Sequence, residues 1–376
     1  MKYFLIAGEP SGDLHGANLI RGLKEEDPTA EFKFWGGDAM ASVAGEQNLL
    51  KHYRQSSFFG ILEVLRNLRT ISAQLKECEA SIVDFAPDVV ILIDYPGFNM
   101  KIARFAKEHG FKTFYYIAPK VWASRSGRIK AMRRYIDELF IIFPFEQEYF
   151  AQRGMEPHFC GNPLTDALAA RVEKLPSREE FVASNGLCDK PIVALLAGSR
   201  RSEIRANLPI MVDVARKFAD HQFVVAGVSW LDRVEYEQLL QGSGISLVMD
   251  QTYELLVASE AAVVTSGTAT LETALLGIPE VVVYRVDWLL QLIRPLVVHT
   301  PYISLVNINL GRESVREIVQ TSLDAAPTIE ALAKVIEGGV ERQRMLADFD
   351  ELRAIIGESG ASARFAKQMV NLLKTK

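Results

Sequence analysis

Cysteine is scarce in this chain. Cys78, Cys160 and Cys188 are odd in number, far apart and free of any C-x-x-C spacing. That argues against a disulfide framework or a zinc ribbon and leaves buried thiols suited to a reducing compartment. The six histidines include no H-E-x-x-H pair. A basic excess is missing too: the formal net charge is -5, so nucleic acid is not an expected partner. Met1 to Ala7 is far too short for a signal or anchor, so the chain is expected in the cytosol. No G-x-G-x-x-G follows the first apolar run, and no G-x-x-x-x-G-K-[ST] occurs. The lone D-x-D, Asp348-Phe349-Asp350, falls in a helical pattern where side chains two apart diverge. A metal-holding D-x-D is expected at a strand end, so neither a metal nor a cofactor is expected.

What is present is alternation. Apolar runs at Lys2–Ala7, Phe32–Trp35, Val89–Ile93, Thr113–Ile117 and Leu139–Phe143 are each followed by amphipathic stretches of helical length. A second series follows at Ile192–Ala197, Gln222–Ala226, Ser246–Val248, Ala261–Thr265 and Val281–Tyr284. Strand–helix alternation implies parallel sheets with right-handed crossovers. The expected fold is therefore α/β, with two facing Rossmann-like, doubly wound domains and a helical C-terminal segment after Tyr284. The expected divisions are 1–165, 166–345 and 346–376, with a proline-bearing linker near Pro163 and Pro176. Ligands in such sheets bind beyond the strand C-termini.

Three turns carry the chemistry. "AGEPSGDLHG" ends the first run and puts Ser11, Gly12 and Asp13 where a helix begins, as a cap or as a floor for a sugar or phosphate. "LLAGSRRSEI" ends another with Gly198, Ser199 and Arg200: a close backbone approach, a capping hydroxyl and a fork of donors for phosphate. "TSGTATLETALLGIP" offers Ser266, Gly267 and Thr268 at a helix start, with Glu272 about one turn on. Backbone N–H groups there suit a pyrophosphate, and the carboxylate suits ribose hydroxyls. Two anion-friendly turns in one half mark it as the nucleotide half.

Ten motifs in order, among them "AGEPSGDLHG", "PDVVILIDYPGFN", "YYIAPKVWA", "FPFEQEYF", "GNPLTD", "LLAGSRRSEI", "SGTATLE", "YISLVNI" and "RESVREIVQ", resemble the lipid A disaccharide synthase family over essentially the whole chain. The resemblance implies a GT-B-type, metal-independent, inverting glycosyltransferase. Its donor would be UDP-2,3-diacylglucosamine and its acceptor 2,3-diacylglucosamine 1-phosphate (lipid X). The products would be the β(1→6)-linked disaccharide 1-phosphate and UDP. Departures from the family pattern fall at Gly97, where a second acid is usual, at Asn162 for histidine, and at Ala197 and Val306 for proline.

An inverting transfer needs a base for the acceptor hydroxyl and support for charge on departing UDP. Asp94 is the candidate base, the alternative being a helix cap. Ser11, also counted catalytic, would touch the acceptor or the transferred sugar, with Gly12, Asp13 and Asn99 on the acceptor side. Ser199, Arg200, Ser266, Gly267, Thr268 and Glu272 would hold the donor. By resemblance Asn307, Glu317 and Gln320 line the donor side, the alternative being ordinary polar residues of a surface helix and loop. Acylated substrates place the work at an anionic membrane surface, on the inner face of the inner membrane. "FFGILEVLRNLRTISAQL" (58–75) offers Phe58, Phe59, Ile61 and Leu62 beside Arg66 and Arg69, as an interfacial helix or an ordinary core-facing one. The leucine-dense stretch 286–305 would shelter acyl chains or bind a second copy in a homodimer. Two other readings compete: a different UDP-sugar enzyme on the same fold, such as the peptidoglycan transferase or a UDP-N-acetylglucosamine 2-epimerase, and a nucleotide-sugar-binding module without catalysis.

Overall fold

The computed structural model describes residues 1–56, 67–122, 126–286 and 300–375. Its chain divides into two compact units, 1–169 together with 356–376, and 170–355. Thirteen strands are described: β1 (Lys2–Ala7), β2 (Glu31–Gly36), β3 (Leu49–His52), β4 (Val89–Ile93), β5 (Lys112–Tyr116), β6 (Glu138–Ile141), β7 (His158–Phe159), β8 (Ile192–Leu196), β9 (Gln222–Gly227), β10 (Ser246–Met249), β11 (Ala261–Thr265), β12 (Glu280–Arg285) and β13 (Arg316–Gln320). The first seven form one parallel sheet in the order β3-β2-β1-β4-β5-β6-β7; the other six form a second in the order β10-β9-β8-β11-β12-β13.

Central strands are apolar on both faces because helices cover both. Every residue of β4, Val89-Val90-Ile91-Leu92-Ile93, is fully buried. In β1 the period of two sends Tyr3, Leu5 and Ala7 to one face and Phe4 and Ile6 to the other. The first face packs under helix Pro10–Glu26 and the C-terminal helix Ala361–Lys374, whose Phe365, Ala366 and Met369 join that core. The second packs under helices Leu68–Phe85, Pro96–Glu108 and Ile129–Tyr135. In the other unit Ile192, Ala194, Leu196, Val224 and Val264 meet Leu255 and Phe181.

The expected helical stretch after Tyr284 is corrected by β13. Arg316-Glu317-Ile318-Val319-Gln320 pairs in parallel with β12, so Glu317 and Gln320 stand on an edge strand, not on helix and loop. Its charged ends disguise it, because an edge strand faces water along one side.

In each unit the strand order reverses once, between β1 and β4 and between β8 and β11. Those reversals are the topological switch points where open α/β sheets bind ligands. The turns after β1, β4, β8 and β11 are the ones singled out by their residues.

Candidate active site

In the first unit the turns after β1 and β4 lie against each other. A Cβ at Gly8 would fall 2.3 Å from the Tyr95 ring, so glycine is what lets that ring cross the backbone. Asp94 and Tyr95 both hold positive φ, 43° and 47°, a costly conformation for residues with side chains. The surroundings over-determine it. The Asp94 N–H donates to the Tyr116 carbonyl at 3.1 Å. The Asp94 carbonyl accepts from Tyr115 Oη at 2.6 Å and from Asn99 Nδ2 at 2.8 Å. Tyr95 is the cap residue of helix Pro96–Glu108, so Asp94 is not spent as a cap. Burial pushes the Asp94 carboxyl above its usual range, opposed by the charge of Lys120 and the Tyr95 N–H. A carboxylate raised by burial is a better proton acceptor at neutral pH.

Two residues expected on the acceptor side have hydrogen-bond partners within the chain. Asp13 is buried, and its carboxylate accepts from the N–H groups of Gly37, Ala39 and Met40 at 2.7, 2.9 and 3.2 Å. It pins the turn after β2. Asn99 is fully buried, and its amide also donates to the Ile93 carbonyl at 3.2 Å. It holds Asp94 from behind. Gly12 is buried against Ala7 and Ile93, which brings the helix down onto the sheet, and Ser11 is exposed on the first turn. The helix starts at Pro10 with Glu9 as its cap, so Ser11 leaves the capping to backbone groups.

The turn after β8 is tight: Gly198 has φ 115°, where a side chain would be strained and its Cβ would meet Glu203. Ser199 and Arg200 are exposed. The cap position belongs to Arg200, not Ser199, and Glu203 reaches back to fill the turn. Its carboxylate accepts from the Ser199 N–H at 3.2 Å, the Arg200 N–H at 3.3 Å and the Arg200 guanidinium at 2.9 Å. An anion therefore already occupies the seat expected for phosphate. Glu203 was legible only as an acid three residues past the cap, half of a capping box.

After β11, Ser266 donates to the Ile303 carbonyl at 3.0 Å, while Gly267 and Thr268 open helix Thr268–Leu275 and are exposed. Glu272 accepts from Tyr253 Oη at 2.7 Å. Burial pushes its carboxyl up, while Tyr253 and the Arg171 charge hold it down. Asn307 is fully buried and donates to Glu317 at 2.9 Å; Glu317 also accepts from the Ile303 and Ser304 N–H groups at 2.9 and 2.8 Å. Both build the wall behind Ser266. Gln320 Nε2 donates to the Asp324 carbonyl at 2.8 Å. Asp348 and Asp350 ride helix Arg342–Ile356, paired with Arg312 and Arg353. Phe58, Phe59, Ile61, Leu62 and Arg66 lie outside the described residues, as do 287–299; Arg69 is exposed at the start of helix Leu68–Phe85.

Residues 3–368 match the family described as lipid-A-disaccharide synthetase. The lipid-A-disaccharide synthase of Myxococcus xanthus is 35% identical over 99% of this chain and 97% of its own, and that of Geobacter sulfurreducens is 34% identical over 99% and 97%. The chain belongs to the lipid-A-disaccharide synthetase family. As a member it is an enzyme, a glycosyltransferase. Solved structures bear on the fold alone. An S. aureus MnaA–UDP co-structure superposes with a TM-score of 0.69 at 15% identity, covering 100% of this chain and 98% of that one. The calicheamicin glycosyltransferase gives 0.61 at 15% identity, covering 99% and 98%. Both fit two Rossmann-like parallel-sheet domains of the GT-B type. Both "AGEPSGD" and "IDYPGFN" lie within the matched residues 3–368.

Proposed function

We propose that this chain transfers 2,3-diacylglucosamine from UDP-2,3-diacylglucosamine to the 6-hydroxyl of lipid X, with inversion and without a metal. One observation carries the reading: each pair of sequence-marked turns flanks the switch point of its own sheet. Asp94, raised by burial, takes the proton of the acceptor hydroxyl as that oxygen attacks the anomeric carbon. The C–O bond to the diphosphate breaks on the opposite face, and its electron pair leaves with UDP. Arg200, the Ser199 turn and the first N–H groups of helix Thr268–Leu275 receive the new phosphate charge. Glu272 holds the ribose. With its D-x-D acids on a helix and paired to arginines, the chain relies on arginine and helix ends for leaving-group support.

The product is made on the cytoplasmic face of the membrane that holds both lipids. The test supplies both acylated substrates and measures UDP release and the disaccharide, with and without chelator. UDP and disaccharide in equal amounts, unchanged by chelator, are expected. UDP without disaccharide would replace transfer by hydrolysis, and loss on chelation would overturn the metal-free step.

A further inference from the structure

Tyr253 was not marked by any motif, yet its hydroxyl is tied to the carboxylate assigned to the donor. It stands on helix Thr252–Ala258 and donates to Glu272 Oε1 at 2.7 Å. Behind its ring lies the Arg171 guanidinium, 4.6 Å from the centroid. Arg171 also pairs with Glu254 at 3.5 Å, so the cation is held from a second side. The three groups come from separate elements: helix Pro163–Val172, helix Thr252–Ala258 and helix Thr268–Leu275. The Glu272 carbonyl accepts the N–H of the helix's C-cap residue Leu276, but its side chain takes no part in either cap.

We propose that Tyr253, backed by Arg171, is a positioning residue that holds the Glu272 carboxylate in the orientation that accepts the ribose hydroxyls of the donor nucleotide. The inference rests on the donor-site reading of Glu272 given above. Its logic is geometric. A carboxylate on a three-bond side chain has several rotamers to choose from, and a phenol hydroxyl on Oε1 selects one while leaving Oε2 for a ligand hydroxyl. Charge works in the same direction. Burial favours the neutral acid, which is a poorer acceptor, and the phenol hydroxyl and the guanidinium partly offset it in favour of the anion. Tyr253 touches no reacting atom and acts through Glu272.

The experiment compares UDP with 2′,3′-dideoxy-UDP by calorimetry on the full chain, for wild type, Glu272→Gln, Tyr253→Phe and the double variant. The ratio of the two dissociation constants reads the ribose contact alone, and a general loosening of the fold leaves it unchanged. Wild type should prefer UDP. Glu272→Gln should abolish that preference, Tyr253→Phe should cut it about fivefold or more, and the double variant should add nothing to Glu272→Gln. Thermal melting confirms that each variant is folded. Tyr253→Phe keeps the ring that Arg171 stacks on; should it not fold, Arg171→Gln takes its place with the same expected direction. A preference lost in Glu272→Gln but intact in Tyr253→Phe overturns the positioning role and leaves the donor site standing. A preference intact in Glu272→Gln overturns the ribose reading itself, and the role of Tyr253 with it.

Discussion

At Asp94 two consecutive residues with side chains accept left-handed backbone, and three hydrogen bonds from Tyr115, Asn99 and its own N–H make that conformation obligatory. Such strain places one carboxylate at a switch point without using it as a cap. Asp94→Asn keeps the shape and removes the basic oxygen. Turnover should fall about a hundredfold or more, the range of general bases, while UDP affinity and melting temperature stay near wild type. A folded variant with normal kcat would remove Asp94 from the chemistry. Arg200 tests the other half. A charge-assisted contact to phosphate contributes roughly 1.5–3 kcal/mol, so Arg200→Ala should weaken UDP about tenfold or more by calorimetry. Arg200 pairs with Glu203, and on the proposed reading binding would exchange that carboxylate for the diphosphate. Arg201 is the control: its guanidinium pairs with Glu235 at 2.6 Å, and Arg201→Ala should matter less.

At the scale of elements, Glu146 joins two loops at the ligand end of the first sheet. Fully buried on helix Phe145–Ala151, it accepts from Trp122 Nε1 at 2.9 Å and from the Phe143 N–H at 3.1 Å. Trp122 ends the loop that carries Lys120, the cation that acts on Asp94. Burial pushes the Glu146 carboxyl up to about 7. A raised acid stabilises the fold fully below its unfolded pKa and loses that contribution as pH rises through the folded value. The window therefore runs from about 4.5 to about 7, and the loss is about 3 kcal/mol on the scale of 1.36 kcal/mol per pKa unit. His15, held down to about 4 by burial, works in the opposite sense across much of the same window. Asp94, Glu272 and Glu280 are raised by burial in the same sense as Glu146, so the readout is a difference: wild-type stability should fall relative to that of Glu146→Gln as pH rises. Urea melts at pH 5 and 7.5 check this, and parallel profiles for the two proteins would dismiss Glu146 as the titrating group.

The same scale shows what could be read from residues alone. All ten apolar runs are strands, nine of them inside a sheet where helices cover both faces and hydrophobicity is continuous, and the tenth, β10, on an edge. The three strands not anticipated, β3, β7 and β13, are edges, short or bearing charge, where burial leaves little pattern. The four ligand-end turns were visible because glycine, proline and small hydroxyls mark them. What those side chains bond to was not. Asp13, Asn99 and Asn307 look like ligand contacts by type, yet spend their hydrogen bonds on backbone within the chain. Tyr253 and Arg171 reach Glu272 only through contacts far apart in sequence, which no local spacing encodes.

For the whole molecule, the acylated substrates proposed above would pose a problem of access. Among the described residues no helix is long and apolar enough to cross a membrane. A net charge of -5 repels an anionic leaflet overall, so attraction must be local. Arg69, exposed at the start of helix Leu68–Phe85 and three residues after Arg66 in the sequence, would supply part of it. Each basic side chain near an anionic surface adds about 1 kcal/mol, screened over a Debye length of about 10 Å at 0.1 M salt. Reversing both with Arg66→Glu and Arg69→Glu removes about 2 kcal/mol, so sedimentation with anionic vesicles at low salt should weaken at least tenfold. The gap should narrow as salt rises. UDP affinity should hold, because the donor turns belong to residues 170–355 and both arginines to the other unit. Turnover on vesicle-borne lipid X should fall more than turnover on detergent-dispersed lipid X, since only the former depends on reaching the leaflet. Equal sedimentation of variant and wild type at low salt would end the role of these arginines and move the search for the membrane face to residues 286–305.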